Sequence, residues 1–142
     1  LAAQAIGGAA YALEITVQYA KDREQFDKPL GAFQAISHYL SDAATAVNGG
    51  RILTYEAAWS LANGRPVEGK DVSTLGPMAK LFTCQTYRNT TAMGEQVFGG
   101  VGFTLEYDIQ LYFRRAKALQ IAWLDDPALR EKVAHQLLDQ PA

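Results

Sequence analysis

The stretch DREQFDKPLGAFQ, residues 22–34, decides how the chain is divided. Pro29 has no amide hydrogen and its ring drives Lys28 out of the helical region, so a helix arriving from the N-terminal side must stop and turn. Before the break, Ile6, Ala9, Leu13, Val17 and Ala20 recur every three or four residues, which places one apolar stripe on one helical face. That helix is expected to end near Gln25, and a second to begin near Gly31 or Ala32. The turn between them gathers one arginine, two phenylalanines and two glutamines (Arg23, Gln25, Phe26, Phe33 and Gln34) in an otherwise alanine-rich region.

Beyond the turn, Phe33, Ile36, Leu40, Ala43, Val47, Thr54, Ala57 and Leu61 form the stripe of a long second helix. Gly49 and Gly50 each weaken it by about 1 kcal/mol relative to alanine, so close contact with a neighbouring helix is their expected reason. The loop NGRPVEGKD, 63–71, precedes a third helix that starts between Ser73 and Gly76, with Pro77 in its first turn. Its stripe is Leu75, Met78, Phe82, Thr86, Thr90, Met93 and Val97. FGGVGF, 98–103, breaks the chain again, a helix-to-helix turn with a glycine at positive φ. Thr104 then reads as the N-cap of a fourth helix carrying Leu105, Ile109, Tyr112, Phe113, Ala116 and Leu119. Asp126 and Pro127 read as a cap and first-turn proline opening a short last helix with Val133, Leu137 and Leu138. With no sustained period-two alternation, no sheet is expected. The fold class is all-α: an up-and-down four-helix bundle with a short extra C-terminal helix, one domain over residues 1–142.

Composition removes several classes of function. The 13 basic and 15 acidic residues are dispersed and the net charge is -2, so no basic stripe offers itself to nucleic acid or an anionic membrane. No apolar run approaches the roughly 20 residues that span a bilayer. A lone cysteine, Cys84, forms no internal disulfide and reads as a small buried hydrophobe in a reducing, cytoplasmic compartment. The opening LAAQAIGG has neither an initiator methionine nor a helix cap, which implies a fragment of a longer subunit. A di-metal bundle is not expected, because neither His38 nor His135 stands three residues after a glutamate. GGVGF lacks both the preceding strand and the last spaced glycine of a dinucleotide fingerprint. Taken singly, Arg23 needs no ligand, since a cation suits the negative end of a helix.

Together these segments resemble the C-terminal domain of the acyl-CoA dehydrogenase family. YAKDREQFDKPLGAFQAISHYLSD, 19–42, is similar to its arginine-x-x-phenylalanine turn and following helix, and GEQVFGGVGFTLEYDIQLYFRRAK, 94–117, to its glutamine-x-x-glycine-glycine turn. The resemblance implies a bundle that assembles as a dimer or tetramer and reaches across to FAD held mainly by a neighbouring subunit. It implies that Arg23 contacts the pyrophosphate, that Gln25 and Phe26 lie against the cofactor, and that Gln34 hydrogen-bonds it. Gln96, Val97, Phe98, Gly99 and Gly100 would line the adenosine end. Physical chemistry is compatible with these roles: a guanidinium matches phosphate oxygens, and glycines let backbone amides approach closely. Asp27 departs from the pattern, standing where the family usually has glycine.

The implied reaction is α,β-dehydrogenation of an acyl-CoA thioester, with an electron-transfer flavoprotein or similar acceptor downstream. The family's catalytic glutamate often follows the fourth helix, in a tyrosine-glutamate-glycine-threonine stretch that falls here on Ala122, Trp123, Leu124 and Asp125. Trp123 cannot accept a proton, so the catalytic residue stays unassigned. Asp125 and Asp126 are nearby carboxylates whose preferred role is capping the last helix beside Pro127. Other members carry the base upstream of the segment matched by Leu1. These departures imply a non-catalytic partner in a hetero-oligomer, such as those acting on bulky acyl-CoA esters like steroid side chains. Alternative readings are a flavin-dependent oxidase or monooxygenase on the same bundle, or a non-enzymatic helical oligomerisation module.

Overall fold

The computed structural model describes residues 1–139, built from five α-helices. These are α1 (Ala2–Asp22), α2 (Gln34–Asn63), α3 (Val72–Phe98), α4 (Ile109–Ile121) and α5 (Asp126–Leu138). Gly8 lies under the Tyr87 ring and Gly94 beside Thr16, so α1 and α3 run in the same direction. Gly50 meets Ile6 near the start of α1 while Gly31, just before α2, lies against Ala20 near its end, which makes α2 antiparallel to α1. Ile109 reaches Gly94 and the Cys84 thiol faces the Leu119 carbonyl, which makes α4 antiparallel to α3. The bundle is therefore up, down, up, down, and the short α5 packs on α3, as the periodicity implies.

The central element is α3, which touches all four other helices. Its buried face is rich in threonine, with Thr83, Thr86, Thr90 and Thr91 at most 5% exposed. Thr83 Oγ1 donates to the Ala79 carbonyl at 2.7 Å and Thr91 Oγ1 to that of Tyr87 at 2.9 Å. These hydroxyls are satisfied within their own helix, so small polar side chains can fill a tight core without unpaired donors. Cys84 is fully buried, as expected for a small hydrophobe, and burial pushes its thiol above the ordinary range. Gly50 does meet its neighbour closely, whereas Gly49 makes only ordinary contact with Phe82.

Several boundaries differ from those expected. Helix α1 ends at Asp22 rather than Gln25, because Arg23 is already extended (φ -83°, ψ 121°). The chain then forms a small antiparallel hairpin, β1 (Glu24–Gln25) with β2 (Lys28–Pro29), where no sheet was expected. Two-residue strands are too short to register as alternation. A 3-10 helix, Leu30–Ala32, leads into α2, so the start expected near Gly31 falls on that element. Helix α3 begins at Val72, N-capped by Asp71, and Pro77 consequently lies in its second turn. That leaves the Ser73 carbonyl without its helical partner at a position open to water. Thr104 does not cap α4: its hydroxyl donates to the Val101 carbonyl at 2.7 Å and closes a second 3-10 helix, Gly99–Phe103. Residues 104–108 wrap over an aromatic cluster before α4 can start, and Leu105 is 90% exposed rather than in the core. Leu61 and Phe82, expected in helical stripes, are likewise exposed. Asp125, not Asp126, caps α5 through the Ala128 amide, because the Asp126 carboxylate is taken elsewhere.

Close helix approach at Gly94 separates two substitutions of helical glycines. A Cβ there would sit 2.8 Å from Thr16 Oγ1, which is itself fixed on the Ala12 carbonyl, and 2.7 Å from Ile109 Cδ1. Gly94→Ala is expected to destabilise the fold by about 1–3 kcal/mol despite alanine's better helix propensity. Gly7→Ala, on the exposed side of α1 with open space at its Cβ, is expected to stabilise it by up to about 1 kcal/mol. Urea unfolding of both variants beside the parent measures the difference.

Candidate functional site

One aromatic contact brings the two sequence motifs to the same end of the bundle. Tyr19, in the last turn of α1, stacks on Phe98, the last residue of α3, with ring centroids 4.1 Å apart and planes 19° apart. Tyr107 meets both rings edge-on, at 5.8 Å from Tyr19 and 5.2 Å from Phe98. Arg23 follows Tyr19 by four residues and Gly99 follows Phe98 directly, so both bends emerge from one cluster. A groove lined by Ile15, Gln18, Tyr19, Asp22, Phe98 and Tyr107 runs over it.

The first bend is held by backbone and left open at its side chains. The Arg23 amide donates to the Tyr19 carbonyl at 2.9 Å, and the Arg23 carbonyl accepts from Leu30 at 2.8 Å. Its guanidinium is exposed and makes no ion pair among the described residues. Gln25 is exposed, with Nε2 donating to the Glu24 carbonyl at 2.7 Å. Phe26 and Asp27 occupy the hairpin tip at φ 54° and 61°, the positive values a type I′ turn requires. The family's glycine at the position of Asp27 thus has a conformational reason, and aspartate is among the residues that tolerate it. Phe26 is 86% exposed and edge-on to Phe33 at 6.2 Å, while the Lys28 ammonium lies 4.1 Å over the Phe33 ring. An exposed phenylalanine at positive φ is strained, and such strain marks a place of interest. Gln34 opens α2, is exposed, and no side chain caps that helix start, which leaves an electropositive terminus beside Arg23.

The second bend divides its residues differently. Gln96 is exposed, whereas the Val97 and Phe98 side chains are buried, so these two can offer a ligand only backbone atoms. Gly99 has φ 67°, the positive value expected of the diglycine, and a Cβ at either Gly99 or Gly100 would meet nothing within 4 Å. Sequence reasoning missed Tyr19, whose only signal was its spacing before Arg23, and Glu95. The Glu95 carboxyl is 4% exposed, has no hydrogen-bond partner for either oxygen among the described residues, and presses on Gly102. Burial raises its carboxyl above the ordinary range.

The segment expected to hold a base lies elsewhere, after α4. Trp123 is 90% exposed at φ 71°. Asp125 is occupied as the α5 cap. Asp126 accepts from Gln85 Nε2 at 3.0 Å and Gln120 Nε2 at 2.7 Å. Burial alone would push its carboxyl up, but these hydrogen bonds, with Arg88 and Arg130, hold it below the usual range. His38 and His135 are exposed, and His135 pairs with Asp139 at 2.8 Å. No described helix is long and apolar enough to cross a membrane.

The fold is thus an all-helical bundle with its arginine turn and diglycine turn at one end. The chain belongs to the acyl-CoA dehydrogenase C-terminal domain family, whose model matches residues 1–138. It is 37% identical over 116 residues to acyl-CoA dehydrogenase IpdE2 of Mycolicibacterium smegmatis, covering 82% of this chain and 34% of that protein. In structure it is similar to PigA in its FAD complex (TM-score 0.88, 28% identity, 96% of this chain and 34% of that one). It is also similar to a chain of the ChsE4–ChsE5 complex of Mycobacterium tuberculosis (TM-score 0.89, 27% identity, 99% of this chain and 37% of that one). The chain thus spans about a third of the length of the relatives it matches.

Two changes probe the site's local physics. Asp27→Gly is expected to stabilise the fold by up to about 1 kcal/mol by relieving the left-handed backbone, seen as a higher melting temperature. Glu95→Gln is expected to stabilise it at pH 7. An acid whose carboxyl is raised by burial favours folding only while protonated, so the parent loses stability as pH rises above the unfolded value near ~4.3. The gap between variant and parent should close below that pH in melts across pH 3–8.

Proposed function

We propose that this chain is the C-terminal helical domain of an FAD-dependent acyl-CoA dehydrogenase subunit that acts within a dimer or tetramer. The observation that carries the reading is the pair of open bends joined by the Tyr19–Phe98 stack. The residues present fit the cofactor: an exposed guanidinium without a carboxylate partner among the described residues, an uncapped helix start, and two glycines whose Cβ positions are free. Arg23 and the first amides of α2 would hold the pyrophosphate, with charge-assisted hydrogen bonds and the helix dipole acting together. Gln25, Phe26 and Gln34 would lie along the cofactor, Phe26 as an apolar wall. Gln96, Gly99, Gly100 and the backbone of Val97 and Phe98 would receive the adenosine. Bound FAD supplies hydride acceptance from the β-carbon of an acyl-CoA thioester, whose α-proton a carboxylate removes. Electrons would then pass to an electron-transfer flavoprotein or a similar acceptor in the cytoplasm.

A second reading concerns which subunit performs the proton abstraction. Trp123 stands at the position where relatives of this family often carry the glutamate, and neither adjacent aspartate is free to replace it. These facts favour a subunit that contributes cofactor contacts to a hetero-oligomer and leaves the base to its partner. Dehydrogenation by the lone full-length subunit would reject it.

Arg23→Ala, made in the full-length assembly, tests the main reading. Removing a charge-assisted contact worth about 1.5–3 kcal/mol should weaken FAD binding about 10- to 150-fold while the helical circular dichroism stays intact. Unchanged FAD occupancy on dilution would leave a helical oligomerisation module as the remaining reading.

A further inference from the structure

We propose that Lys80 is the positioning residue of the α4–α5 bend: its buried ammonium locks residues 121–125 in the shape that holds Trp123 left-handed and clear of the bundle. Lys80 projects from α3, is 8% exposed, and donates to the Gln120 carbonyl at 3.2 Å and the Leu124 carbonyl at 2.6 Å. Those two acceptors stand on either side of Trp123, so one side chain from a neighbouring helix straddles the bend. The Leu124 amide returns to the Ala122 carbonyl at 3.0 Å and tightens it further. Below it, Asp126 Oδ2 ties Gln85 of α3 to Gln120 of α4, while the buried Asp126 Oδ1 has no partner among the described residues.

A cation on the last carbonyls of a helix complements the negative end of its dipole, which gives α4 a terminus it could not make alone. Tryptophan at φ 71° is disfavoured by contact between Cβ and the following carbonyl, and such a conformation persists only where the surroundings over-determine it. Lys80 is the contact that does so, because an ammonium offers several donors and the buried Gln120 carbonyl would otherwise lose its partner away from water. The importance of residue 123 to the reaction rests on the proposed function, but the lock itself does not. Through it, α3 sets the direction of the side chain that occupies this position.

The test uses the intact chain carrying Trp59→Phe, which leaves Trp123 as the one indole of the two in the sequence. Time-resolved fluorescence anisotropy should report an indole that turns with the whole molecule. Lys80→Met should add a fast local component, whereas Ile109→Ala, which removes core contact at the opposite end of α4 from the bend, should not. Trp123→Gly should raise the melting temperature of the parent and raise it less in the Lys80→Met background, because a freed bend no longer stores the strain. Equal gains in both backgrounds, or unchanged anisotropy in a folded Lys80→Met chain, would overturn the proposal. If Lys80→Met does not fold, backbone amide relaxation of the parent decides: residues 122–124 as rigid as α4 support the lock, and greater mobility there overturns it. None of these readouts involves FAD, so loss of the flavoprotein reading through Arg23 would leave them unaffected.

Discussion

The stack of Tyr19 on Phe98 is the contact on which the rest of this structure depends. It joins the last turn of α1 to the last turn of α3, and these helices can meet there only because they run parallel and approach closely along their length at Gly8 and Gly94. The hydrophobic gain from a half-buried Tyr19 ring on a buried Phe98 ring, with Tyr107 edge-on to both, outweighs the cost of wrapping residues 104–108 irregularly over them. Without this cluster the arginine turn and the diglycine turn would be separate features of separate loops. With it they leave the bundle from adjoining helix ends.

The same central helix organises both ends of the molecule. Its Thr83 and Thr91 bond within the helix and keep the core tight, its C-terminus carries the diglycine turn, and Lys80 with Gln85 reaches the bend after α4. Buried polar groups here divide into two kinds. Asp126 takes two amide donors on one oxygen, which with Arg88 and Arg130 hold its carboxyl below the usual range, whereas Glu95 has none and is driven toward its protonated form. The first ties elements together. The second is an acid held against the turn of Gly99–Phe103, where an apolar side chain would pack as well.

Much of this was legible in the residues, and the exceptions have identifiable causes. Helical periodicity marked the four bundle helices and their order, and the diglycine announced a positive φ that Gly99 adopts. Pro29 marked the break before α2, but the hairpin of Glu24–Gln25 and Lys28–Pro29 is too short to leave any alternation. Thr104 looked like a cap because capping chemistry and 3-10 closure use the same hydroxyl, and only the aromatic cluster decides between them. Of the site residues, Arg23, Gln25, Phe26, Gln34 and Gln96 have exposed side chains at the bends, while Val97 and Phe98 turned out to face the core. Lys80 was invisible because its partners lie forty and more residues away, and nothing in a charged residue on a helical stripe reveals burial.

The central claim is that the two bends serve one cofactor, and amide hydrogen exchange of the full-length assembly with and without FAD tests it most directly. The account predicts that residues 23–34 and 96–103 gain protection together on loading, while the far end of the bundle around residues 63–71 is unchanged. Protection of one bend alone, or of neither, would contradict it.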